Sequence, residues 1–241
     1  MSQNHSFLAR VRVLIFDLDG TLIDSKLDLA LSINAMLEYM GRAPLPHETI
    51  YGFVGNGAPV LVRRSLLEGT SPAEITDAEA DRGLAYFLAY YRAHMLDNTV
   101  AYPGVREGLA LLAEYPMAVL TNKPVNFSRA ILEGLDLSRC FRYVYGGNSF
   151  EKKKPDPFGV RILLGDLNST PAEAMMVGDS DVDVRTARNA GIWSCGVTYG
   201  LGIDSLRANP PDLLIDSLTD LPSHLAAAGK ARRALRRRLP S

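Results

Sequence analysis

The chain has 241 residues, of which 47% are hydrophobic, and it carries 26 basic and 27 acidic side chains. This length and composition allow one large domain or two smaller ones with a buried core. Because the net charge is close to zero, we expect neither a nucleic acid nor a membrane surface as a partner.

The first apolar run extends from Val13 to Phe16 and is stopped by Asp17. It is too short for a signal peptide or a membrane span, so we expect a cytoplasmic protein. Cys140 and Cys195 lack a metal-ligand spacing, and we expect both thiols to be reduced.

Short apolar runs of strand length recur along the chain and alternate with helical patterns. This alternation predicts an α/β protein with a Rossmann-like, doubly wound parallel sheet that helices cover on both faces. The predicted strands are residues 13–16, 117–120, 143–145, 175–177, 195–197 and 213–215.

The interval between the first two predicted strands is too long for a single crossover connection. Helical patterns cover residues 27–40, 58–68 and 77–96 within it. We interpret residues 25–101 as an inserted all-helical domain, because Tyr102-Pro103-Gly104 is typical of a return to the sheet domain.

The α/β core is then predicted to comprise residues 1–24 and 102–228. Residues 229–241 hold six basic side chains and no acidic one, and we expect them to form a flexible basic tail.

Polar clusters follow three of the predicted strands directly. In open α/β sheets, ligands bind beyond the carboxyl ends of the strands, so these clusters are expected to meet in one site. They are Asp17-Leu18-Asp19-Gly20-Thr21, Thr121-Asn122-Lys123 and Gly178-Asp179-Ser180-Asp181-Val182-Asp183.

Asp17 and Asp19 stand at positions i and i+2, so an extended chain would point both carboxylates to one side. Gly20 would then permit a sharp turn away from the sheet. Two carboxylates so close together cannot both ionise easily, and we expect an ionised nucleophile beside a protonatable acid. Covalent catalysis with an acid–base partner requires this division.

The last cluster adds Asp179 and Asp183 on either side of a predicted helix start, with Ser180 or Asp181 as the N-cap and Gly191 at the helix end. The site would then hold four carboxylates, which is unstable without a cation. A set of oxygen ligands alone favours Mg²⁺.

Lys154 lies in Lys154-Pro155-Asp156-Pro157, before a helix that Pro157 could start. A lysine there can neutralise both the nucleophile and a transferring phosphoryl oxygen. Thr121 and Asn122 offer a hydroxyl and an amide for further phosphate oxygens.

Together these residues resemble the four motifs of the haloacid dehalogenase superfamily, in the same order and over nearly the whole chain. Three short segments further resemble the phosphoglycolate phosphatase subfamily. They are Val54-Gly55-Asn56-Gly57-Ala58, Leu120-Thr121-Asn122-Lys123-Pro124 and Val197-Thr198-Tyr199-Gly200.

The resemblance implies a phosphatase in which Asp17 is the nucleophile and Asp19 is first the general acid and then the base. Thr121 and Lys154 would stabilise the phosphate. The inserted helices would be the type-one cap of that superfamily.

The resemblance also implies a Mg²⁺ ion held by the Asp17 carboxylate, the Asp19 carbonyl oxygen and Asp179. Asp183 would support the ion directly or through water. Substrate contacts are expected from five residues, namely Asn122, Gly20, Asn56, Gly57 and Arg64.

The expected substrate is a small phosphorylated metabolite, 2-phosphoglycolate first, and the expected assembly is a monomer or homodimer. Asn56 and Gly57 could equally form only a turn, and Arg64 could be a surface charge.

A pyrophosphatase or a β-phosphoglucomutase-like enzyme of the same superfamily remains an alternative, whereas a dehalogenase would lack Asp19. A catalytically silent binding module would keep the fold, yet no motif residue is lost. Nucleic-acid binding through the basic tail is a weaker alternative.

Overall fold

The computed structural model describes residues 6–69 and 75–236. The strands are β1 (Val13–Phe16), β2 (Ile23–Asp24), β3 (Val100–Ala101), β4 (Met117–Leu120), β5 (Tyr143–Tyr145), β6 (Ala174–Gly178), β7 (Trp193–Val197) and β8 (Leu213–Ile215). The helices are α1 (Lys26–Tyr39), α2 (His47–Tyr51), α3 (Ala58–Leu67), α4 (Asp77–His94), α5 (Val105–Leu111), α6 (Val125–Gly134), α7 (Phe158–Asp166), α8 (Asp181–Ala190), α9 (Ile203–Ala208) and α10 (Asp220–Arg236).

Six parallel strands form the main sheet in the order β5-β4-β1-β6-β7-β8. The chain runs outward from β1 to β4 and β5, and then returns to add β6 on the other side of β1. This reversal is the topological switch point of a doubly wound sheet, where a ligand crevice is expected. The predicted fold class is therefore confirmed, and all six predicted strands are present.

Alternate side chains of β1 pack on opposite faces of the sheet, as the two-residue period of a strand requires. Leu14 and Phe16 lie in one hydrophobic cluster, which includes Leu109 of α5 and Ile131 of α6. The other cluster contains Val13 and Ile15 of the same strand, together with side chains of α7 and α8. Because both faces are covered, β1 is buried along its whole length.

Helices α1 to α4 lie between β2 and β3, and α1 packs against α4. The two ends of this helical insertion meet where β2 and β3 pair antiparallel. The buried carboxylate of Asp28 also joins them, accepting hydrogen bonds from the backbone N–H and side chain of both Asn98 and Thr99. We propose that residues 25–101 form the cap.

The predicted helix boundaries agree closely with the structure for α1, α3 and α4, with α4 ending at His94 rather than at residue 96. Helix α10 extends to Arg236, so the predicted start of the basic tail at residue 229 falls inside a helix. No helix in the described ranges is long and apolar enough to span a membrane. Residues 237–241 of the predicted tail lie outside the described residues.

Candidate active site

Asp17 lies immediately beyond β1, at the switch point, where its backbone N–H donates to the carbonyl of Val177. This bond continues the pairing of β1 with β6 and fixes the direction in which the carboxylate leaves the sheet. The residue is 8% exposed. Its carboxylate is thus placed at the carboxyl edge of the two central strands.

Lys154 reaches this carboxylate from the loop before α7, and its Nζ lies 2.8 Å from Asp17 Oδ1 and 2.6 Å from Asp183 Oδ1. The lysine is buried, and burial alone would lower its pKa. The charges of Asp17 and Asp183 outweigh burial and raise the pKa of Lys154, so the ammonium stays charged. One lysine therefore bridges two carboxylates.

Asp183 owes its position to the start of α8. The other carboxylate oxygen, Oδ2, accepts hydrogen bonds from the backbone N–H and hydroxyl of Ser180, at 3.2 and 2.9 Å. Of the two predicted candidates, Ser180 and Asp181, Ser180 is the N-cap, and Gly191 ends the helix in the left-handed conformation.

Asp179 follows β6 and is buried against Gly20, in the segment that follows β1. Its Oδ2 accepts the backbone N–H groups of Leu201 and Gly202, at 2.8 and 3.1 Å. Gly20 has a φ of 84°, and a side chain there would overlap the Asp179 carboxylate. The close approach of these two segments explains why a glycine occupies position 20.

Oxygen atoms of Asp17, Asp179 and Asp183 all lie within 4.8 Å of one another. Burial, followed by the charge of Asp183, raises the pKa of Asp179 to about 8. Burial also raises the pKa of Asp17 to about 6 despite the opposing effect of Lys154, and Asp183 adds to the rise. This excess of buried negative charge fits a hard divalent cation, since every nearby ligand atom is an oxygen.

The side chain of Asp19 pairs with Lys123. Lys123 Nζ donates to both carboxylate oxygens, at 3.0 and 3.3 Å, and the hydroxyl of Ser25 donates at 2.5 Å. We expected repulsion between Asp17 and Asp19 to divide the pair, and for the pKa of Asp17 this cause is wrong. Burial and Asp183 raise the pKa of Asp17 instead.

The side chain of Lys123 is only 4% exposed, and its Nζ also lies 4.6 Å from the ring centroid of Tyr91 on α4. Burial opposes the charged form, but Asp19 and Tyr91 raise the pKa of Lys123 above its usual value. Sequence reasoning assigned no separate role to Lys123, Tyr91 or Ser25. Among these three residues, only Lys123 could have been identified from the sequence, because it follows Thr121 and Asn122 at the end of a predicted strand.

Thr121 and Asn122 follow β4 and are both buried. The Asn122 amide donates to the carbonyls of Gly55 and Lys154, and its oxygen accepts the Lys154 N–H at 3.0 Å. Asn122 thus joins three loops, and its side chain is already engaged in holding Lys154. Its expected contact with substrate remains a proposal.

A cavity of about 40 Å³ lies between the sheet edge and the helical insertion. Its polar part is formed by Asp17, Asp19, Thr121, Asn122 and Lys123. The remaining lining residues are Leu29, Val54, Gly55, Gly57, Ala58, Leu61, Phe87, Tyr91, Pro124 and Phe127. The insertion therefore covers the carboxylates with a largely apolar surface.

The expected substrate-binding residues of the insertion separate into two groups. Gly57 lines the cavity, and with a φ of 87° it approaches the Asn122 carbonyl so closely that a side chain would clash. Asn56 and Arg64 do not line it, and Arg64 is exposed on α3.

Comparisons with known proteins agree with this geometry. The family model for haloacid dehalogenase-like hydrolases matches residues 14–197. A phosphoglycolate phosphatase of Pseudomonas putida is 42% identical over 214 residues, which cover 87% of this chain and 78% of that protein. A phosphoglycolate phosphatase of Colwellia psychrerythraea is 37% identical over 222 residues, covering 89% and 96%.

Solved structures give the same result. A crystal structure described as a predicted phosphoglycolate phosphatase, from Haemophilus somnus, has a TM-score of 0.83 at 31% identity and covers 89% of this chain and 98% of that chain. A predicted phosphatase of Clostridium acetobutylicum has a TM-score of 0.77 at 26% identity, covering 90% and 99%. Since the family model matches most of the chain, including all four carboxylates, this chain belongs to the haloacid dehalogenase-like hydrolase family.

Proposed function

We propose that this protein is a phosphoric monoester hydrolase that cleaves 2-phosphoglycolate to glycolate and phosphate. The main support for this proposal is the position of Asp17. It is buried at the switch point of the sheet, ion-paired with Lys154 and covered by the helical insertion. Relatives named phosphoglycolate phosphatase, at 37 to 42% identity over most of the chain, support the substrate.

In the first step, a carboxylate oxygen of Asp17 attacks phosphorus, and the bond from phosphorus to the ester oxygen breaks. Asp19, which lines the same cavity, donates a proton to the departing oxygen. The products of this step are glycolate and an aspartyl-phosphate on Asp17.

In the second step, Asp19 takes a proton from a water molecule, whose oxygen attacks the phosphorus atom. The bond between phosphorus and the Asp17 oxygen breaks, which releases inorganic phosphate, restores the Asp17 carboxylate and leaves Asp19 protonated for the next cycle. The hydrogen bond from Ser25 and the contact with Lys123 hold the Asp19 side chain in place.

Lys154 and Thr121 would stabilise the negative charge of the phosphoryl group, Lys154 by its fixed ammonium and Thr121 by its hydroxyl. We propose Asp17, Asp179 and the Asp19 carbonyl oxygen as Mg²⁺ ligands, with Asp183 as a further support. When bound, Mg²⁺ would offset the repulsion between these carboxylates and the phosphate.

The apolar lining contributed by the insertion would exclude water from the reacting atoms during the first step. Because both parts of the chain line the cavity, we expect the insertion to move when product leaves.

Phosphate release from a panel of substrates in the presence of Mg²⁺ tests this function. The panel should include 2-phosphoglycolate, sugar phosphates, nucleotides and pyrophosphate, and the highest kcat/KM is expected for 2-phosphoglycolate. A maximum with pyrophosphate would favour a pyrophosphatase, and isomerised sugar phosphate without free phosphate would favour a mutase. Absence of turnover with every substrate would favour a silent binding module.

A further inference from the structure

Two proton donors line the cavity without a part in bond making or breaking, namely the Lys123 ammonium and the Tyr91 hydroxyl. Lys123 comes from the loop after β4, whereas Tyr91 comes from α4 in the helical insertion. Their ring-to-ammonium contact, 4.6 Å from Nζ to the ring centroid, places them side by side.

The ammonium of Lys123 supplies the positive charge of this pair. Its contacts at 3.0 and 3.3 Å go to the carboxylate of Asp19, and it also faces Tyr91. Among the described residues that line the cavity, Lys123 is the only cation, beside the two acids Asp17 and Asp19. An incoming anion would therefore find one positive charge on the cavity wall.

The hydroxyl of Tyr91 is the second donor. It is buried, and within the described residues its proton has no acceptor, whereas its oxygen faces the ammonium of Lys123. An unpaired buried hydroxyl costs free energy, and such a group on the wall of a cavity is explained most simply by a ligand atom that accepts its proton.

Around these two donors the lining is apolar, formed by side chains such as Leu29, Phe87 and Phe127. An anionic ligand group would lose its hydration here and would need both a charge and a hydrogen bond in return. A carboxylate satisfies these conditions, since its two oxygens can accept separately from Lys123 and Tyr91.

We propose that Lys123 and Tyr91 form the subsite for a carboxylate on the leaving group, so that the enzyme selects phosphate esters of short hydroxy acids. This inference rests on the proposed phosphatase function. A second phosphoryl group fits the observations less well, because its dianion would meet only one positive charge, that of Lys123, among the described lining residues.

A pair of substrates that differ only in this charge gives the cleanest test. 2-Phosphoglycolate carries the carboxylate, and its neutral amide, 2-phosphoglycolamide, has nearly the same shape. The quantity to measure is the ratio of kcat/KM for the acid to kcat/KM for the amide, because effects on the shared chemistry cancel in this ratio.

Wild-type enzyme is expected to prefer the acid. Lys123→Met should lower the ratio by about a hundredfold and Tyr91→Phe by about tenfold, which corresponds to the loss of a charged and of a neutral donor to an anion. Phe87→Leu is the matched control, because it alters the same wall without removing a donor, and its ratio should equal that of the wild type.

If Lys123 serves only to position Asp19, Lys123→Met will slow both substrates equally and leave the ratio unchanged, and this result would overturn the inference. An unchanged ratio in Tyr91→Phe would remove Tyr91 from the subsite. Failure of the proposed function is distinguishable, because wild-type enzyme would then hydrolyse neither substrate. If wild-type enzyme hydrolyses both without preferring the acid, the subsite alone is refuted.

Discussion

Asp19 has two proposed tasks, to protonate the leaving group and then to activate water, and these tasks can be separated with a substrate that needs no acid. p-Nitrophenyl phosphate has such a leaving group. Asp19→Asn should still form the aspartyl-phosphate with this ester, but it should hydrolyse that intermediate about a hundred- to ten-thousandfold more slowly.

The expected result for Asp19→Asn is a burst of one nitrophenol per active site, followed by slow turnover, in a stopped-flow measurement. Wild-type enzyme, mixed under the same conditions, provides the reference for steady turnover. Rapid linear release by the variant, without a burst, would show that Asp19 is not the base of the second step.

For Asp19, the local sequence predicts the position of the side chain but not its partner. The spacing of Asp17 and Asp19 correctly placed both on the cavity, but it could not show that Lys123 pairs with Asp19 across 104 positions of the chain. Asn122 is a similar case, because its partners Gly55 and Lys154 belong to loops that only the folded chain brings together.

Strand β6 and helix α8 approach each other so closely that Gly178 has no room for a side chain. A methyl group there would overlap Cβ and Cγ of Asp183, whose carboxylate is held by Lys154 and Ser180. Gly178→Ala should therefore displace Asp183, lower the free energy of unfolding by about 1–3 kcal/mol and raise the Mg²⁺ concentration needed for half-maximal activity.

Gly165→Ala is the control for this substitution. Gly165 lies in α7, and a methyl group added there would meet no atom within 4 Å apart from its chain neighbours and the backbone of its own helix, so alanine should stabilise the helix by about 0.5–1 kcal/mol. Urea unfolding and Mg²⁺ titration of activity would measure both variants. Equal stability and equal Mg²⁺ requirement in Gly178→Ala and wild type would contradict the described packing.

The elements themselves were largely predictable. Buried parallel strands such as β1 and β4 are uninterrupted apolar runs that end at polar residues, so their bounds are visible in the sequence. The two-residue strands β2 and β3 were missed, because they form only when the ends of the insertion come together. Their pairing depends on tertiary contacts that no local pattern records.

At the scale of the whole molecule, metal binding and stability should be linked through pH. The raised pKa of Asp179, about 8, means that the metal-free fold retains a proton which the unfolded chain has lost above its ordinary value of 3.8. Between these values the stability of the metal-free protein should fall as the pH rises.

Mg²⁺ must displace this proton, so its stabilising effect should be larger at high pH than at low pH. Thermal unfolding with EDTA or with saturating Mg²⁺ would measure the effect, and the increase in Tm should be greater at about pH 8 than at about pH 5. The same increase at both values would contradict a metal site built from these buried carboxylates.

The most direct test of the central claim is a search for phosphate on Asp17 during turnover. Wild-type enzyme should be mixed with 2-phosphoglycolate and Mg²⁺, quenched in acid within one turnover and digested for mass spectrometry. We predict a phosphorylated peptide whose modification maps to Asp17 and decays as phosphate is released. Asp17→Asn should fold normally and show neither the modification nor turnover, whereas normal phosphatase activity in that variant, or phosphate on another residue, would contradict the account.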